Sequence, residues 1–174
     1  MFKRSLQQGI FFAILTLAGC GFQLRGVNPT QAILPFEQLA VQSNLRSPLT
    51  AALVQELRLL PNLQLVQDVK QAQATLQILR EDREKRILSL NVAGKVREYQ
   101  LVYRVQYRVI NAAGQALTLD QDLTVLRDMS FNDALVLAKD QEEALLYQHM
   151  YRDAASQLIR RLAKVKMQAL GEAD

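Results

Sequence analysis

Residues 99–109 read Tyr-Gln-Leu-Val-Tyr-Arg-Val-Gln-Tyr-Arg-Val. Successive side chains of a β-strand point to opposite faces of the sheet, so residues two positions apart share a face. The tyrosines and most of the aliphatic residues therefore lie on one face. The polar residues Arg104, Gln106 and Arg108 lie on the other. This alternation predicts a long strand with one buried face and one polar face.

Turn sequences lie on both sides of this strand. Residues 91–95, Asn-Val-Ala-Gly-Lys, precede it, and residues 111–114, Asn-Ala-Ala-Gly, follow it. Alternation resumes after the second turn at four positions, Leu117, Leu119, Leu123 and Val125. Residues 90–127 are therefore predicted to form an antiparallel meander. Three further strands are predicted upstream, at residues 36–41, 62–66 and 74–90.

Helical spacing of apolar residues occurs in two places. Ser47 followed by Pro48 has the form of an N-cap with proline at the first helical position, and leucines at helical spacing follow until Pro61. Residues 132–165 carry two adjacent apolar rows, Leu146, Met150, Ala154, Leu158 and Leu162 beside Tyr147, Tyr151, Ala155, Ile159 and Ala163. Two such helices on one face of a mostly antiparallel, mixed β-sheet predict an α/β (α+β) sandwich.

The amino terminus has the form of an export signal. The opening Met1-Phe2-Lys3-Arg4 is basic, and residues 10–17 form an apolar run that is too short to span a membrane. The ending Leu17-Ala18-Gly19-Cys20 resembles the lipobox of bacterial lipoproteins. We therefore expect residues 1–19 to be cleaved and Cys20 to carry an S-diacylglycerol group and an N-acyl group such as palmitate. The alternative, an ordinary cysteine, is less consistent with the only cysteine of the chain lying at the cleavage position.

Length and charge restrict the remaining chain. Cleavage after residue 19 leaves 155 of the 174 residues, which suits one domain, and loss of Lys3 and Arg4 lowers the formal charge from +4 to +2. This small charge and the export signal disfavour a nucleic-acid partner. We expect a lipidated, extended leader over residues 20–35, a single domain over residues 36–166 and a short tail over residues 167–174.

No catalytic constellation is recognisable in the sequence. His149, the only histidine, falls on the polar rows of the second helical pattern, and no nucleophile lies beside a base. Glu142 and Glu143 are adjacent, so their side chains point in different directions on a helix. No group of His, Cys, Asp and Glu has the spacing of metal ligands. We therefore expect a protein that is not an enzyme and has no cofactor besides the covalent lipid.

Cationic residues near the first turn and the start of the second helix are the strongest candidates for a binding site. They are Lys95, Arg97, Arg127 and Lys139. Arginine binds phosphate groups through a bidentate fork and lysine binds them as a point charge, so an acidic lipid is the ligand that suits them. The alternative is that each is a solvated surface charge.

Several motifs along the chain resemble one family. They are Cys-Gly-Phe-Gln-Leu-Arg-Gly at 20–26, Arg-Glu-Tyr-Gln-Leu at 97–101, Leu-Ala-Lys-Asp-Gln-Glu-Glu at 137–143, Met-Tyr-Arg-Asp-Ala-Ala at 150–155 and Gln-Leu-Ile-Arg-Arg-Leu at 157–162. Their order and spacing resemble the LPS-assembly lipoprotein family, LptE. The resemblance extends from the predicted lipid anchor to the second helix.

This resemblance implies a non-enzymatic protein that occupies the lumen of the outer-membrane β-barrel protein LptD as a one-to-one plug, helps that barrel assemble and binds lipopolysaccharide. It also implies that Lys139, in the Leu-Ala-Lys motif, belongs to the lipopolysaccharide-contacting surface. Lys95 and Arg97 are expected to substitute for a basic hairpin that occurs in parts of the family.

Two further expectations concern the surroundings of the domain. The polar strand face with Arg104, Gln106 and Arg108 is expected to meet the polar lumen of the barrel. By resemblance to sorted Gram-negative lipoproteins, Gly21 after the cysteine favours the outer membrane, with the domain on the periplasmic side. The alternative function is an outer-membrane lipoprotein that binds a different periplasmic ligand or scaffolds the envelope.

Overall fold

A computed structural model describes residues 33–44 and 46–168, all within one compact unit. The strands are β1 (Gln38–Gln42), β2 (Gln64–Leu65), β3 (Ala74–Leu90), β4 (Val96–Asn111) and β5 (Gln121–Ser130). The helices are α1 (Pro48–Leu57) and α2 (Val136–Leu162), with short 3-10 helices at Val69–Gln71 and Asp133–Leu135. The predicted signal peptide, Cys20 and most of the leader and tail lie outside the described residues, so the domain boundaries stay predictions.

The five strands form one mixed sheet in the order β2-β1-β3-β4-β5. Strand β1 pairs in parallel with both β2 and β3, whereas β3 with β4 and β4 with β5 are antiparallel. The β1 ladder covers only residues 74–77 of β3. The rest of the β3–β4 hairpin therefore extends beyond the parallel part of the sheet. Together with the two helices, this sheet confirms the predicted α+β fold class.

Strand β4 supplies the centre of the core. Its predicted apolar face is buried at Leu101, Tyr103, Val105, Tyr107 and Val109. The same cluster contains the three leucines of α1 and most of the two apolar rows of α2, because both helices cover this face of the sheet. Leu146 is partly buried against the cluster, and Ala163 lies after the end of α2. The opposite face carries the alternate residues of β4 and has no helix over it in the described part of the chain.

The start of α1 is fixed by a small polar network under the helix. The Ser47 hydroxyl oxygen accepts a hydrogen bond from the Leu49 amide at 3.1 Å, and the hydroxyl donates to Glu81 Oε2 at 2.7 Å. The Tyr103 hydroxyl donates to the same carboxylate oxygen at 2.5 Å, and burial raises the pKa of this tyrosine. Helix α1 thus begins at the predicted N-cap and is tied to the sheet below it.

The prediction that Leu119 continues the alternation is wrong. The amides of Leu117 and Thr118 both donate to the Val109 carbonyl, and the Thr118 hydroxyl accepts from the Val109 amide, so the chain bulges here. Leu117 is buried as predicted, but Leu119 is 75% exposed, and β5 begins only at Gln121. A bulge inserts an extra residue into one strand and changes which face the following side chains occupy.

The end of β5 and the start of α2 lie close together. Strand β5 continues to Ser130, three residues beyond the predicted end of the meander. The Asn132 side chain then accepts from the Ala134 amide at 3.0 Å and caps the short 3-10 helix, after which α2 begins at Val136. Neither of the two described helices is long and apolar enough to cross a membrane.

Replacing Leu158 by alanine tests the packing of α2. Leu158 is fully buried, so we expect Leu158→Ala to lower the free energy of unfolding by about 2–5 kcal/mol through lost burial and a cavity. Urea unfolding followed by circular dichroism measures the change. The control is Leu145→Ala on the same helix, where the side chain is exposed and the expected change is within about 0.5 kcal/mol. Equal effects of the two substitutions would contradict the assigned helix face.

Candidate functional site

The β3–β4 turn and the segment before α2 meet at one end of the sheet. The Lys95 ammonium lies 3.1 Å from Asp133 Oδ2, and the Phe131 amide donates to the Arg97 carbonyl at 2.8 Å. These contacts bring Lys95 and Arg97 to the side of the molecule where Lys139 stands. We call Lys95, Arg97 and Lys139 the basic end. Sequence reasoning named all three residues, and the structure places them in the same region.

Lys139 is the most constrained cation of the basic end. Its ammonium donates to Ser130 Oγ at 3.0 Å and to Glu142 Oε2 at 2.7 Å, and its side chain is 14% exposed. Lys95, in contrast, has a 67% exposed side chain. The side chain of Arg97 is also exposed, and no carboxylate of the described residues lies within ion-pair distance of it. Lys95 and Lys139 of the basic end are therefore paired with carboxylates, whereas Arg97 has no carboxylate partner among the described residues.

Arg127 lies apart from the basic end. It pairs in register with Leu101, which places it on the face that the helices cover. Its guanidinium forms an ion pair with Asp153 in the middle of α2 and donates to the Leu126 carbonyl at 2.8 Å. The sequence pattern gave the residue type but not this pairing, because Asp153 is far from Arg127 along the chain.

Lys85 is a site residue that the sequence analysis missed. Its ammonium lies 2.5 Å from Glu143 Oε2 and 4.3 Å from the centroid of the Tyr99 ring. The Tyr99 ring meets the Phe131 ring edge to face at 5.1 Å, so the cation is held over an aromatic pair. Lys85 belongs to the charged stretch of β3, and only the strand register reveals that it faces α2.

An open groove runs beside this cation between β3 and α2. It has a volume of about 530 Å³ and is lined by Arg83, Lys85, Asp140, Glu143, Ala144 and Tyr147. The Arg83 guanidinium donates to the Tyr151 hydroxyl at 3.1 Å and lies over the Tyr147 ring. Burial raises the pKa of Tyr147. Positive and negative groups line the groove in similar number, so it has no single preferred ligand charge.

The three predicted barrel-contact residues lie together on the uncovered face of the sheet. The Arg104 guanidinium donates to Glu84 Oε2 at 3.0 Å, and the Arg108 guanidinium donates to Gln77 Oε1 at 2.6 Å. Gln106 lies between them on β4 and pairs in register with Arg80. The two arginine side chains remain 41% and 43% exposed, so this polar face is accessible for contact.

Glu84 is the strongest electrostatic feature of the uncovered face. Hydrogen bonds from Arg86, which contributes most, and from Arg104 lower the pKa of this carboxyl to about 2. The same interaction raises the pKa of Arg86. Glu84 and Arg86 are two residues apart on β3, and Arg104 joins them from β4. The sequence analysis did not identify this network, because only the β3–β4 register brings Arg104 to Glu84.

Apolar residues also collect near the basic end. The exposed large apolar side chains there are Ile87, Leu88, Leu90 and Val92 of the hairpin and Leu135, Val136 and Leu137 before and at the start of α2. The sequence contained two signals of this surface. Val92 lies inside a polar turn, and Leu135, Val136 and Leu137 are consecutive apolar residues outside the buried rows of the helix. Among the described residues, no group of His, Cys, Asp and Glu is placed to hold a metal ion.

Comparison with known proteins identifies relatives of the chain. The LptE family, described as lipopolysaccharide-assembly, matches residues 30–162. LPS-assembly lipoprotein LptE of Pectobacterium atrosepticum is 34% identical over 88% of this chain and 82% of its own length. LPS-assembly lipoprotein LptE of Yersinia enterocolitica is 34% identical over 95% of this chain and 78% of its own length.

Solved structures of two lipoproteins share the fold. The solution structure of uncharacterized lipoprotein B from Nitrosomonas europaea has a TM-score of 0.69 and 36% identity, covering 82% of this chain and 90% of that chain. The crystal structure of rare lipoprotein B from Shewanella oneidensis has a TM-score of 0.65 and 28% identity, covering 73% of this chain and 94% of that chain.

The Glu84 network predicts a specific titration. The usual value for this carboxyl is 4.5, so an ionised Glu84 stabilises the fold above that pH, and the contribution is lost as the pH falls through its folded pKa of about 2. An NMR titration of the Glu84 carboxyl carbon is expected to give a midpoint near 2. Arg86→Gln is expected to raise this midpoint, whereas Arg58→Gln, at an exposed position outside the network, leaves it in place. A midpoint near 4.5 in the unaltered protein would contradict the network.

Proposed function

Because the chain belongs to the lipopolysaccharide-assembly LptE family, as its motifs predicted, we propose that it acts as a plug in an LptD-type barrel of the outer membrane and binds lipopolysaccharide there. The family consists of LPS-assembly lipoproteins. The proposed role is non-catalytic: the domain binds one barrel protein, helps it assemble and contacts lipopolysaccharide on its way to the cell surface.

The grouping of Lys95, Arg97 and Lys139 at one end of the domain is the observation that carries the lipid-binding part of the proposal. Lipopolysaccharide has phosphate groups, which arginine and lysine bind by charge-assisted hydrogen bonds. Arg97 is the cation of this group without a described carboxylate partner, so it meets an incoming phosphate first. Lys139 then exchanges its hydrogen bond to Glu142 for one to the ligand.

Arg127 has a lesser place in this proposal. Its ion pair with Asp153 already satisfies the guanidinium, and a phosphate must displace that carboxylate to bind. Arg127 therefore contributes to the positive potential behind the basic end, and its removal is expected to weaken binding less than removal of Lys139.

The uncovered sheet face with Arg104, Gln106 and Arg108 is the proposed contact with the barrel. The inner wall of a large outer-membrane barrel is polar, so a plug must present polar groups to it. A sheet face with partly exposed arginines and half-exposed carboxylates meets this requirement. The helices on the opposite face keep the core of the plug intact when the uncovered face docks.

The anchor of the proposed plug is the acylated Cys20, with residues 1–19 removed and the leader over residues 20–35 connecting the anchor to the domain. Each buried CH₂ group of an acyl chain contributes about 0.8 kcal/mol, and stable attachment requires more than one chain. A cysteine with a diacylglyceryl group and an N-acyl group meets this requirement. We place the anchor in the periplasmic leaflet of the outer membrane.

Charge reversal of Lys139 tests the ligand contact. We expect Lys139→Glu, in the lipoprotein purified from detergent-solubilised outer membranes, to retain less lipopolysaccharide than the unaltered protein, by about tenfold for one charged hydrogen bond. The lipopolysaccharide that copurifies with each mole of protein is the measured quantity. Lys70→Glu is the control, since Lys70 is an exposed lysine outside the basic end. Unchanged retention in Lys139→Glu would remove Lys139 from the proposed site.

A second substitution tests the barrel contact independently of the lipid. We expect the double variant Arg104→Glu/Arg108→Glu to copurify with much less barrel protein than the unaltered chain does, because two cations that face the lumen become anions. The single variant Arg58→Glu, at an exposed position after α1, is expected to copurify normally. Normal copurification of the double variant would exclude these arginines from the contact. Absence of any barrel partner for the unaltered protein would favour a lipoprotein with a different envelope function.

A further inference from the structure

Exposed cations also lie on the C-terminal half of α2 and just after it, far along the helix from Lys139. They are Arg152, Arg160, Lys164 and Lys166, and we call these four residues the second cationic surface. A helix rises by about 1.5 Å per residue, so Arg160 lies about 30 Å along α2 from Lys139. The second cationic surface is therefore separate from the basic end, and neither of the two proposed contacts uses it.

The fold holds the second cationic surface in position. Arg152 and Arg160 are separated by two steps of four residues, so they share one side of the helix, outside the two buried rows. Val165 packs against the core just after the helix ends, and this contact keeps Lys164 and Lys166 beside the last turn. The four cations are therefore carried by the helix and by the segment fixed at its end.

Few carboxylates oppose these cations. Among residues 33–44 and 46–168, no carboxylate lies within ion-pair distance of any of the four. Glu56 of α1 reaches this side of α2, where its carboxylate accepts a hydrogen bond from the Ser156 hydroxyl at 2.8 Å. Asp153 is already paired with Arg127. The described charges of this surface are therefore mainly positive.

Stabilisation of the helix accounts for only part of this pattern. Cations in the last turn of a helix interact favourably with its dipole, as Arg160 and Arg161 do here. Arg152 lies well before the last turn and Lys166 lies beyond the helix, whereas the dipole effect falls off within one turn. A contact with an anionic surface outside the domain accounts for the positions that the dipole does not.

The polypeptide enters the domain at the end of the sheet where α2 stops. The Glu37 amide donates to Gln73 Oε1 at 2.7 Å, immediately before β3 begins. The first residue of β3, Ala74, pairs with Asn111 at the end of β4. The described chain therefore begins at the end of the sheet that carries the β4–β5 turn, opposite the end with the β3–β4 turn.

Helix α2 runs toward this same end of the sheet. The Arg161 guanidinium donates to the Asp122 carbonyl at 2.9 Å and to the Tyr107 hydroxyl at 3.3 Å. Asp122 lies near the start of β5, and Tyr107 lies in the last part of β4. The end of α2 and the start of the described chain thus lie at one end of the domain, and the basic end lies at the other.

The proposed lipid anchor brings this end of the domain to a membrane. The chain between Cys20 and Ile33 spans at most about 45 Å even when fully extended, so an anchored domain stays close to the leaflet. We propose that the second cationic surface binds the anionic phospholipid headgroups of this leaflet before the lipoprotein joins a barrel. This inference rests on the proposed anchor and adds to it an orientation of the domain.

A bilayer surface with anionic headgroups has the chemistry that suits exposed cations without a pocket. Each lysine or arginine near such a surface strengthens binding about fivefold. The aliphatic stems of these side chains lie along the headgroup region while their charged groups stay hydrated. With the end of α2 against the leaflet, the basic end is directed away from it.

Headgroup quenching of a fluorescent probe tests this contact. Cys20 is the only cysteine and carries acyl groups in the proposed anchored form, so Gln168→Cys provides a single thiol for labelling beside the second cationic surface. The labelled full-length lipoprotein is reconstituted into phosphatidylcholine vesicles, with or without phosphatidylglycerol, that contain a lipid with a quenching headgroup. We expect strong quenching only with phosphatidylglycerol, and we expect high salt to reverse it because salt screens the charges.

Charge substitutions measure the contribution of the cations. Arg160→Gln/Lys164→Gln is expected to shift the equilibrium away from contact about tenfold or more, and Arg160→Glu/Lys164→Glu to abolish the quenching. The matched control is Arg46→Glu/Arg80→Glu, which changes the net charge as the glutamate variant does, at two exposed arginines outside the surface. This control is expected to keep the quenching, and circular dichroism checks that all variants are folded.

The outcomes separate this inference from the function beneath it. Equal quenching with and without phosphatidylglycerol, or in the glutamine variant and the unaltered protein, would overturn the bilayer contact and leave the proposed function standing. An equal loss in the control variant would also overturn it. Loss of barrel copurification in the glutamine variant, with unchanged quenching, would assign the surface to the barrel instead. Failure of the purified lipoprotein to float with any vesicles would overturn the proposed anchor itself.

Discussion

The burial of one face of β4 is the constraint on which the other features of this domain depend. Tyr103 and Tyr107 are fully buried at its centre, and α2 can cover them only by lying across β4 and β5. The long β3–β4 ladder extends this face toward the turn, so the helix start and the turn must meet at the same end. Because both helices are used on this side, the opposite face of β4 carries mostly charged and amide side chains, with Val102 as an exception. The two proposed contacts thus lie on surfaces that the core itself does not occupy.

Most cations of the candidate site already have an anionic partner, and this affects how the site can bind. Lys95, Lys139 and Arg127 pair with Asp133, Glu142 and Asp153 respectively. The pairs of Lys95 and Arg127 are exposed to solvent and contribute little to stability, so exchanging their carboxylates for a phosphate costs little. The Lys139 side chain is only 14% exposed and is held more firmly. Net affinity must then come from several simultaneous contacts rather than from one strong pair. Under the proposed function, a ligand with more than one phosphate group is expected to bind better than a small anion.

The sequence predicted those parts of the structure that depend on local periodicity. The two faces of β4, the N-cap at Ser47 and the buried rows of α2 follow from side-chain spacing alone. The outward position of Leu119 could not be predicted, because it results from a bulge made by Thr118 and Val109 across two strands. The pairing of Lys85 with Glu143 depends on how α2 lies over β3. The spacing of residues within one strand or one helix does not predict how the two elements pack against each other. Val102 shows the same limit, since it is buried on the polar face between Glu84 and Leu126, its register partners.

Strand β1 pairs with only the first residues of β3, so most of one edge of β3 has no strand beside it in the described part of the chain. Because the β1 ladder ends at residue 77, the outer edge of β3 from Arg80 onward pairs with no other described strand. An open edge of this length invites pairing with a second copy. Residues 80–86 along it are all charged, and register shifts near Ile78 and Ile87 interrupt its regular spacing. Both features oppose edge-to-edge association, so this edge is poorly suited to pairing with a second copy of the domain.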